Sequence, residues 1–476
     1  MDFPIFHLDF LNNRMLIALI AILHVMINHP LAVGGIPLVV WLEQKGHLSG
    51  EQRWDQLAYR IMTFFFIVTT TLGAMTGVGI WLSTSLVNPA AIGSLIRVFF
   101  WAWFAEWGVF VSEVVLIMFY YLTWKRSLLS PEAKQRHIRL GWFLSLASWV
   151  TMAIIVAILS FMMDPGSWIE RRTFLSGFLN PIYLPQLAFR TTLAMVMGGA
   201  CALTLAGLFI PKKDLAFRMR AFRQIARWTL VWTPACVFAA WYYWHNIPDT
   251  MQRHFGVAIA TQSFSEWHQW LLILMLTAFG LVFLSLIWSS LGSESFVVPK
   301  WVGVPSFLLL LLFLGSFERV REFIRKPYAI SGYMYANGIR VQDYPLLQKE
   351  GILKYATYTS VKTITPDNKI LAGKELFKLT CSRCHTLNGI NSIRSQLRRM
   401  YGDKPWQSDN IAAYIGTMHT SRTYMPPFPG NEAEKQALGH YLVSIQQGGE
   451  LSGDQTEGIS RIKALAPQLV QAGGQK

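Results

Sequence analysis

Long apolar runs separated by short polar stretches fill the first three hundred positions of the chain. Runs long enough to cross roughly 30 Å of hydrocarbon fall at about 14–42, 59–83, 95–123, 139–162, 187–210, 226–245, 267–291 and 301–323. The pattern therefore predicts an all-α polytopic bundle of about eight transmembrane helices over residues 1–325. The first run is interrupted by Pro30, Gly34, Gly35 and Pro37. Lipid-exposed helix tolerates such breaks poorly, because the freed carbonyls need cover, so this run is expected inside the bundle. From about Arg325 the pattern changes. Turn residues and mixed charge without a spanning run mark a tether or docking segment over 326–369. Helical apolar spacing then returns in "ILAGKELFKLTCSRCH" and in "EAEKQALGHYLVSIQQ". These enclose a small helical domain at 370–448, followed by a polar tail at 449–476.

Composition supports the membrane assignment. Of 476 residues, 53% are hydrophobic and 14% aromatic, with a positive mean hydropathy that water-soluble chains of this size rarely show. The formal charge of +15 could suggest nucleic acid, but the basic residues gather in short loops, so no nucleic-acid partner is expected. Lys125, Arg126, Lys134, Arg136 and Arg139 lie between spans three and four, and Lys212, Lys213, Arg218, Arg220, Arg223 and Arg227 between five and six. Those loops are expected to face the cytoplasm, which leaves both termini of an eight-span chain outside. The N-terminus shows neither a basic leader nor a small-residue cleavage site, so the first run reads as a retained helix.

Only four cysteines occur, and Cys381 and Cys384 alone are closely spaced. "CSRCH" is the attachment signature for one covalent c-type haem, in which two thiols form thioethers and the next imidazole, His385, becomes an iron ligand. A zinc knuckle needs a second ligand pair, and a redox dithiol needs a βαβ context; neither is seen. About 40 residues on, Met425 precedes the stiff "PPFPG" loop and suits the second axial position, with Met418 and His419 as alternatives. Residues 370–448 resemble the class I cytochromes c, with Cys381, Cys384 and His385 at the haem motif and Met425 in the distal loop. The resemblance implies haem loading outside the cytoplasmic membrane, in agreement with the loop charges.

Ionisable groups inside spans are costly and so are candidates for function. Span one carries His24 and His29, roughly 140° apart around a helix and unable to share one metal without distortion. Span three carries Glu106 and Glu113 on nearly one face. His245, His268 and Glu322, the last among Arg319, Arg321 and Arg325, stand near span ends. Bland readings stand beside these. A lone membrane histidine can hydrogen-bond a facing helix, Glu106 and Glu113 can pair with a basic residue, and Glu322 can be solvated among its arginines.

The spans also resemble the large subunit of the cytochrome bd quinol oxidases. Arg14, His24 and the Pro-Leu-x-x-Gly run match that family's first helix, Gly73 to Gly77 its second, "NPIYLPQLAFRTT" the entry to its fifth, and "VREFIRKPYAI" its Glu-x-Gly-Arg-Gln-Pro-Trp motif. The resemblance implies that His24 and Glu322 hold one or two haems, b or d, and that Glu106 and Glu113 supply protons. Departures are as informative. Arg190 stands where the family has a low-spin haem histidine, the long quinol loop between spans six and seven is missing, and Glu106 and Glu113 are one residue short of the family's spacing. The ninth helix is replaced by the tether and cytochrome. Three functions follow as expectations: a relay between the c haem and haem in the bundle, with quinone as a further reactant; a cytochrome-fed oxygen reductase; and a non-catalytic anchor presenting a cytochrome. Each predicts a bacterial inner-membrane protein with a periplasmic cytochrome, a second membrane subunit and a periplasmic redox partner.

Overall fold

The computed structural model describes residues 5–211, 213–260 and 300–446. The expected seventh span with His268 and the polar tail lie outside the described residues. Of these residues, Ile17–Gly338 form one compact unit, and 5–16 together with 339–446 form the other.

The membrane unit is helical. Its elements are α1 (Asn13–Asn28, whose start belongs to the other unit), α2 (Gly35–Ser49), α3 (Gln52–Val68), α4 (Ala74–Val87), α5 (Pro89–Val98), α6 (Phe100–Ser127), α7 (Pro131–Met163), the short α8 (Trp168–Arg171) and α9 (Phe174–Phe178), α10 (Tyr183–Phe209), α11 (Leu215–Asn246), the short α12 (Asp249–Arg253) and α13 (Phe255–Ala260), and α14 (Lys300–Ile324). Among the described residues, five stretches are long and apolar enough to cross a membrane: Asn13–Ser49, Gln52–Val87, Phe100–Ser127, Pro131–Met163 and Tyr183–Phe209. Helices α11 and α14 coincide with two further expected spans. Arg218, Arg220, Arg223 and Arg227 in the first half of α11 dilute its apolar window.

The first two spans are continuous helices with one π-helical turn each, His29–Val33 and Thr69–Gly73. Pro30 has no N–H to give, so the ladder widens there and the Gly34 N–H donates to the His29 carbonyl at 2.9 Å. In the second, the hydroxyls of Thr69, Thr70 and Thr71 donate back to the carbonyls of Phe65, Phe66 and Ile67 at 2.7, 2.6 and 2.6 Å, which covers backbone acceptors where the ladder is distorted. The stretch from His29 to Val40 is buried throughout. Helix α10 lies at the centre and crosses this stretch backbone to backbone. A Cβ on Gly34 would sit 1.8 Å from the Ala194 carbonyl oxygen, and one on Gly198 2.5 Å from the Gly34 carbonyl, so only glycine permits the approach.

Beyond α14 the chain does not leave the membrane unit at once. Two short antiparallel strands, β1 (Tyr328–Ile330) and β2 (Met334–Tyr335), put Ala329, Ile330 and Met334 into a cluster with Phe99, Ile158, Phe161 and Trp168. The second unit holds α15 (Tyr344–Glu350), α16 (Lys369–Thr380), α17 (Ile393–Tyr401), α18 (Ser408–Ser421) and α19 (Glu432–Gln446). Helices α16 and α19 cross closely at Gly373, where a Cβ would lie 2.2 Å from the Ala437 carbonyl oxygen. Residues 351–353, expected in the tether, are pinned to this unit. The buried Glu434 carboxylate accepts from the backbone of Ile352 at 2.9 Å and of Leu353 at 2.8 Å.

Candidate functional site

The C-terminal unit builds its site on the last turn of α16. The Cys381 N–H closes the helix on the Phe377 carbonyl at 2.9 Å, and the N–H groups of Cys384 and His385 both donate to the Cys381 carbonyl at 3.0 Å. This single turn sets the two thiols and the imidazole at i, i+3 and i+4, the spacing that shares one face. Neither cysteine is in a disulfide. Burial pushes the Cys381 thiol up to about 11 and brings the Arg383 guanidinium down to about 10. Asn391, in the left-handed region at φ 59, turns its carbonyl toward His385 Nδ1 at 3.1 Å, and its side-chain amide donates to the Cys384 carbonyl at 2.7 Å. With the proton on Nδ1, the lone pair is on Nε2, the tautomer an iron ligand needs.

Met425 follows α18. Its N–H donates to the Arg422 carbonyl at 2.8 Å, and its carbonyl accepts from His419 Nδ1 at 2.5 Å. His419, an alternative ligand in the sequence, therefore holds the Met425 loop through its ring. Two cysteines outside any disulfide, an imidazole with Nδ1 on the Asn391 carbonyl and a thioether before two prolines fit a covalent haem.

In the membrane unit the sequence candidates separate. His24 Nδ1 meets the Gly73 carbonyl at 3.2 Å, Thr76 Oγ1 at 3.1 Å and the Asn28 amide at 3.0 Å, so its ring lies against the second π-turn. His29 turns elsewhere. Its Nε2 is 3.2 Å from Arg190 Nη1, and Arg190 Nη2 donates to Glu318 Oε1 at 2.5 Å. Arg321 Nε donates to the other Glu318 oxygen at 2.9 Å. Arg190 is 1% exposed and Glu318 6%. Arg190 thus anchors a closed cluster, with Glu318 as a member that the sequence reading missed. Its one-turn spacing from Arg321 was the available signal.

Glu322 is half-buried, and both its oxygens accept from Arg325, at 2.8 and 2.7 Å. Glu113 accepts from Ser148 at 2.6 Å and Thr151 at 3.2 Å. Glu106, on the same helix, is half-buried, while Trp101, Phe104 and Trp107 of α6 are exposed. His245 is exposed and bonds only its own helix, at the Trp241 carbonyl 2.9 Å away, among its described hydrogen bonds. Among the described residues, no group of three or more His, Cys, Asp or Glu could hold a metal ion by itself.

A second buried network was also missed. Glu43 accepts from Tyr120 Oη and faces His137 Nδ1 and Lys134 Nζ, each at 2.6 Å. Lys134 pairs in addition with Asp55, which accepts from Trp124 Nε1 at 3.1 Å. By sequence position Lys134 is a loop cation. The structure buries it where α2, α3, α6 and α7 meet, and the network ties those helices together.

A model of the family described as "Cytochrome C oxidase, cbb3-type, subunit III" matches residues 368–442. The bd oxidase from Geobacillus thermodenitrificans is similar in structure, with a TM-score of 0.55 at 16% identity, covering 68% of this chain and 88% of that one. At this identity the likeness shows a shared fold. No curated protein matches the chain. The C-terminal unit is thus a cytochrome c-type domain, joined to a membrane bundle with the bd oxidase fold. Together they make the chain a membrane-bound respiratory electron-transfer haem protein.

Proposed function

We propose that the chain is a relay subunit of a respiratory complex, exchanging single electrons between a c haem on Cys381 and Cys384 and haem in its membrane unit. The observation that carries this reading is the joining, in one chain, of a cytochrome c-type domain to a bundle of bd oxidase fold, in which the sequence resemblance implies His24 and Glu322 as haem ligands. When bound, haem supplies a one-electron ferric and ferrous couple. Cys381 and Cys384 hold it covalently, His385 offers Nε2, and Met425 offers its sulfur from a loop braced by Pro426, Pro427 and His419. In the bundle, His24 is oriented by Asn28, Thr76 and the Gly73 carbonyl, and Glu322 by Arg325.

The closed Arg190, Glu318 and Arg321 cluster supports a relay over a complete quinol oxidase. Arg190 cannot ligate iron, and Glu318 with Arg321 completes the ion-paired cluster around it. Sidedness follows the loop cations. With Lys125, Arg126, Arg136 and Arg139 in the cytoplasm of a bacterial inner membrane, the cytochrome domain faces the periplasm and a redox partner there. A second membrane subunit covers α6, because a carboxylate such as Glu106 is costly against lipid.

His24→Ala in the whole chain tests the relay. It is expected to remove haem absorption other than that of the c type while the covalent haem stays. Full retention of the non-c signal contradicts the assignment of His24. A second reading, oxygen reduction fed by the cytochrome, is favoured by Glu113 with Ser148 and Thr151 beside Glu106, a polar line suited to carrying protons. It expects Glu106→Gln to lower oxygen turnover with reduced donor at least tenfold with haem content unchanged, whereas a pure relay or anchor loses nothing.

A further inference from the structure

We propose that residues 5–16, the segment leading into α1, form a strap on the haem-attachment loop, and that Arg14 on this strap raises the potential of the C-terminal haem. The inference rests on the haem reading above and adds a residue that the attachment motif does not contain.

The strap is folded on itself and on the loop. The Asn13 side chain accepts from the Leu8 N–H at 3.1 Å and donates to the Phe6 carbonyl at 2.5 Å. The Ile390 N–H donates to the Phe10 carbonyl at 3.2 Å, and the Arg14 N–H to the Arg383 carbonyl at 3.2 Å. Gly389 lies directly beneath, where a Cβ would come within 2.4 Å of the Phe10 carbonyl oxygen and 2.5 Å of that of Asp9. The strap therefore rests on the loop within the motif, at Arg383, and just beyond it, at Gly389 and Ile390. Its contact of chemical interest is Arg14 Nη1, which lies 3.7 Å from Cys384 Sγ.

With haem attached, that sulfur would be one of the two atoms that join the chain to the porphyrin edge. A fixed positive charge beside the edge disfavours the oxidised state, which carries one more positive charge, and so raises the potential. Coulomb energy falls only inversely with distance, and the partly buried setting weakens screening by solvent and salt. Arg14 is a positioning and tuning residue that leaves ligation to His385 and Met425.

The test is a spectroelectrochemical titration of the c-type band in the purified whole chain. Arg14→Gln is expected to lower the midpoint potential with covalent haem content unchanged, while Arg14→Lys keeps most of the wild-type value. Gly389→Ala keeps Arg14 but pushes the strap off the loop, so it is expected to lower the potential in the same direction. It also decides the matter if Arg14→Gln loads too little haem to titrate. Wild-type potentials in the haem-loaded variants overturn the role of Arg14. A wild-type chain without covalent haem would instead overturn the haem reading itself.

Discussion

Replacing Cys381 and Cys384 together by alanine removes all covalently attached haem, so the 54.2 kDa chain no longer stains for haem after denaturing electrophoresis. The reason is local. Thioether bonds are the only haem contacts that survive denaturation, and the other two cysteines, Cys201 and Cys236, stand apart in the membrane unit. Either single substitution is expected to leave a stained band, because one thioether still holds the group, with a pyridine haemochrome band displaced from that of two thioethers. The double substitution also loosens the C-terminal unit. A group bound only in the folded state stabilises that state by mass action, and covalent attachment makes its effective concentration very high. Hydrogen exchange in α16 and α17 reports the loosening, and the α16 to α19 crossing at Gly373 is expected to be the last part to open. A double variant that still stains for haem contradicts the assignment of the motif.

The largest effect in the membrane unit is expected for Glu318→Leu. The carboxylate lies between Arg190 and Arg321 with both oxygens engaged. Its removal strands two buried guanidiniums in a low-dielectric core. Breaking a buried ion pair from one side costs about 3–5 kcal/mol, enough to lower the apparent melting midpoint in detergent by on the order of 10 °C. Glu322→Leu one turn later is the control. Its carboxylate is more exposed than that of Glu318, so in the haem-free chain its stability cost is expected to be smaller than that of Glu318→Leu, while any haem held through Glu322 is lost. Equal melting of the two variants contradicts the reading of Glu318 as the keystone of the cluster. A Glu318 variant that gains a low-spin haem signal also contradicts it.

The features readable from the sequence depend on local spacing. Apolar run length fixes the spans because hydrocarbon thickness is a fixed ruler, and "CSRCH" is legible because attachment chemistry sets the separation of its residues. Pro30 marked the first interruption, although the remedy, one π-turn closed by the Gly34 N–H, depended on how the chain relaxed around the missing donor. The rest is long-range. Nothing near Arg14 announces Cys384, 370 positions away. Lys134 reads as a loop cation until α2 and α3 bring Glu43 and Asp55 to it. Glu318 was hidden by its neighbours, since a carboxylate among arginines at a helix end looks solvated until α10 delivers Arg190. The hairpin at 328–335 looked like tether because two strands of three and two residues carry too little periodicity to register.

The most direct test of the relay is a reduced-minus-oxidised visible spectrum of the purified whole chain, paired with a pyridine haemochrome assay. The account predicts haem of b or d type beside one covalent c haem, with His24 and Glu322 as the first ligands to vary. A spectrum of c haem alone would contradict it and leave the membrane unit as the scaffold for a tethered cytochrome.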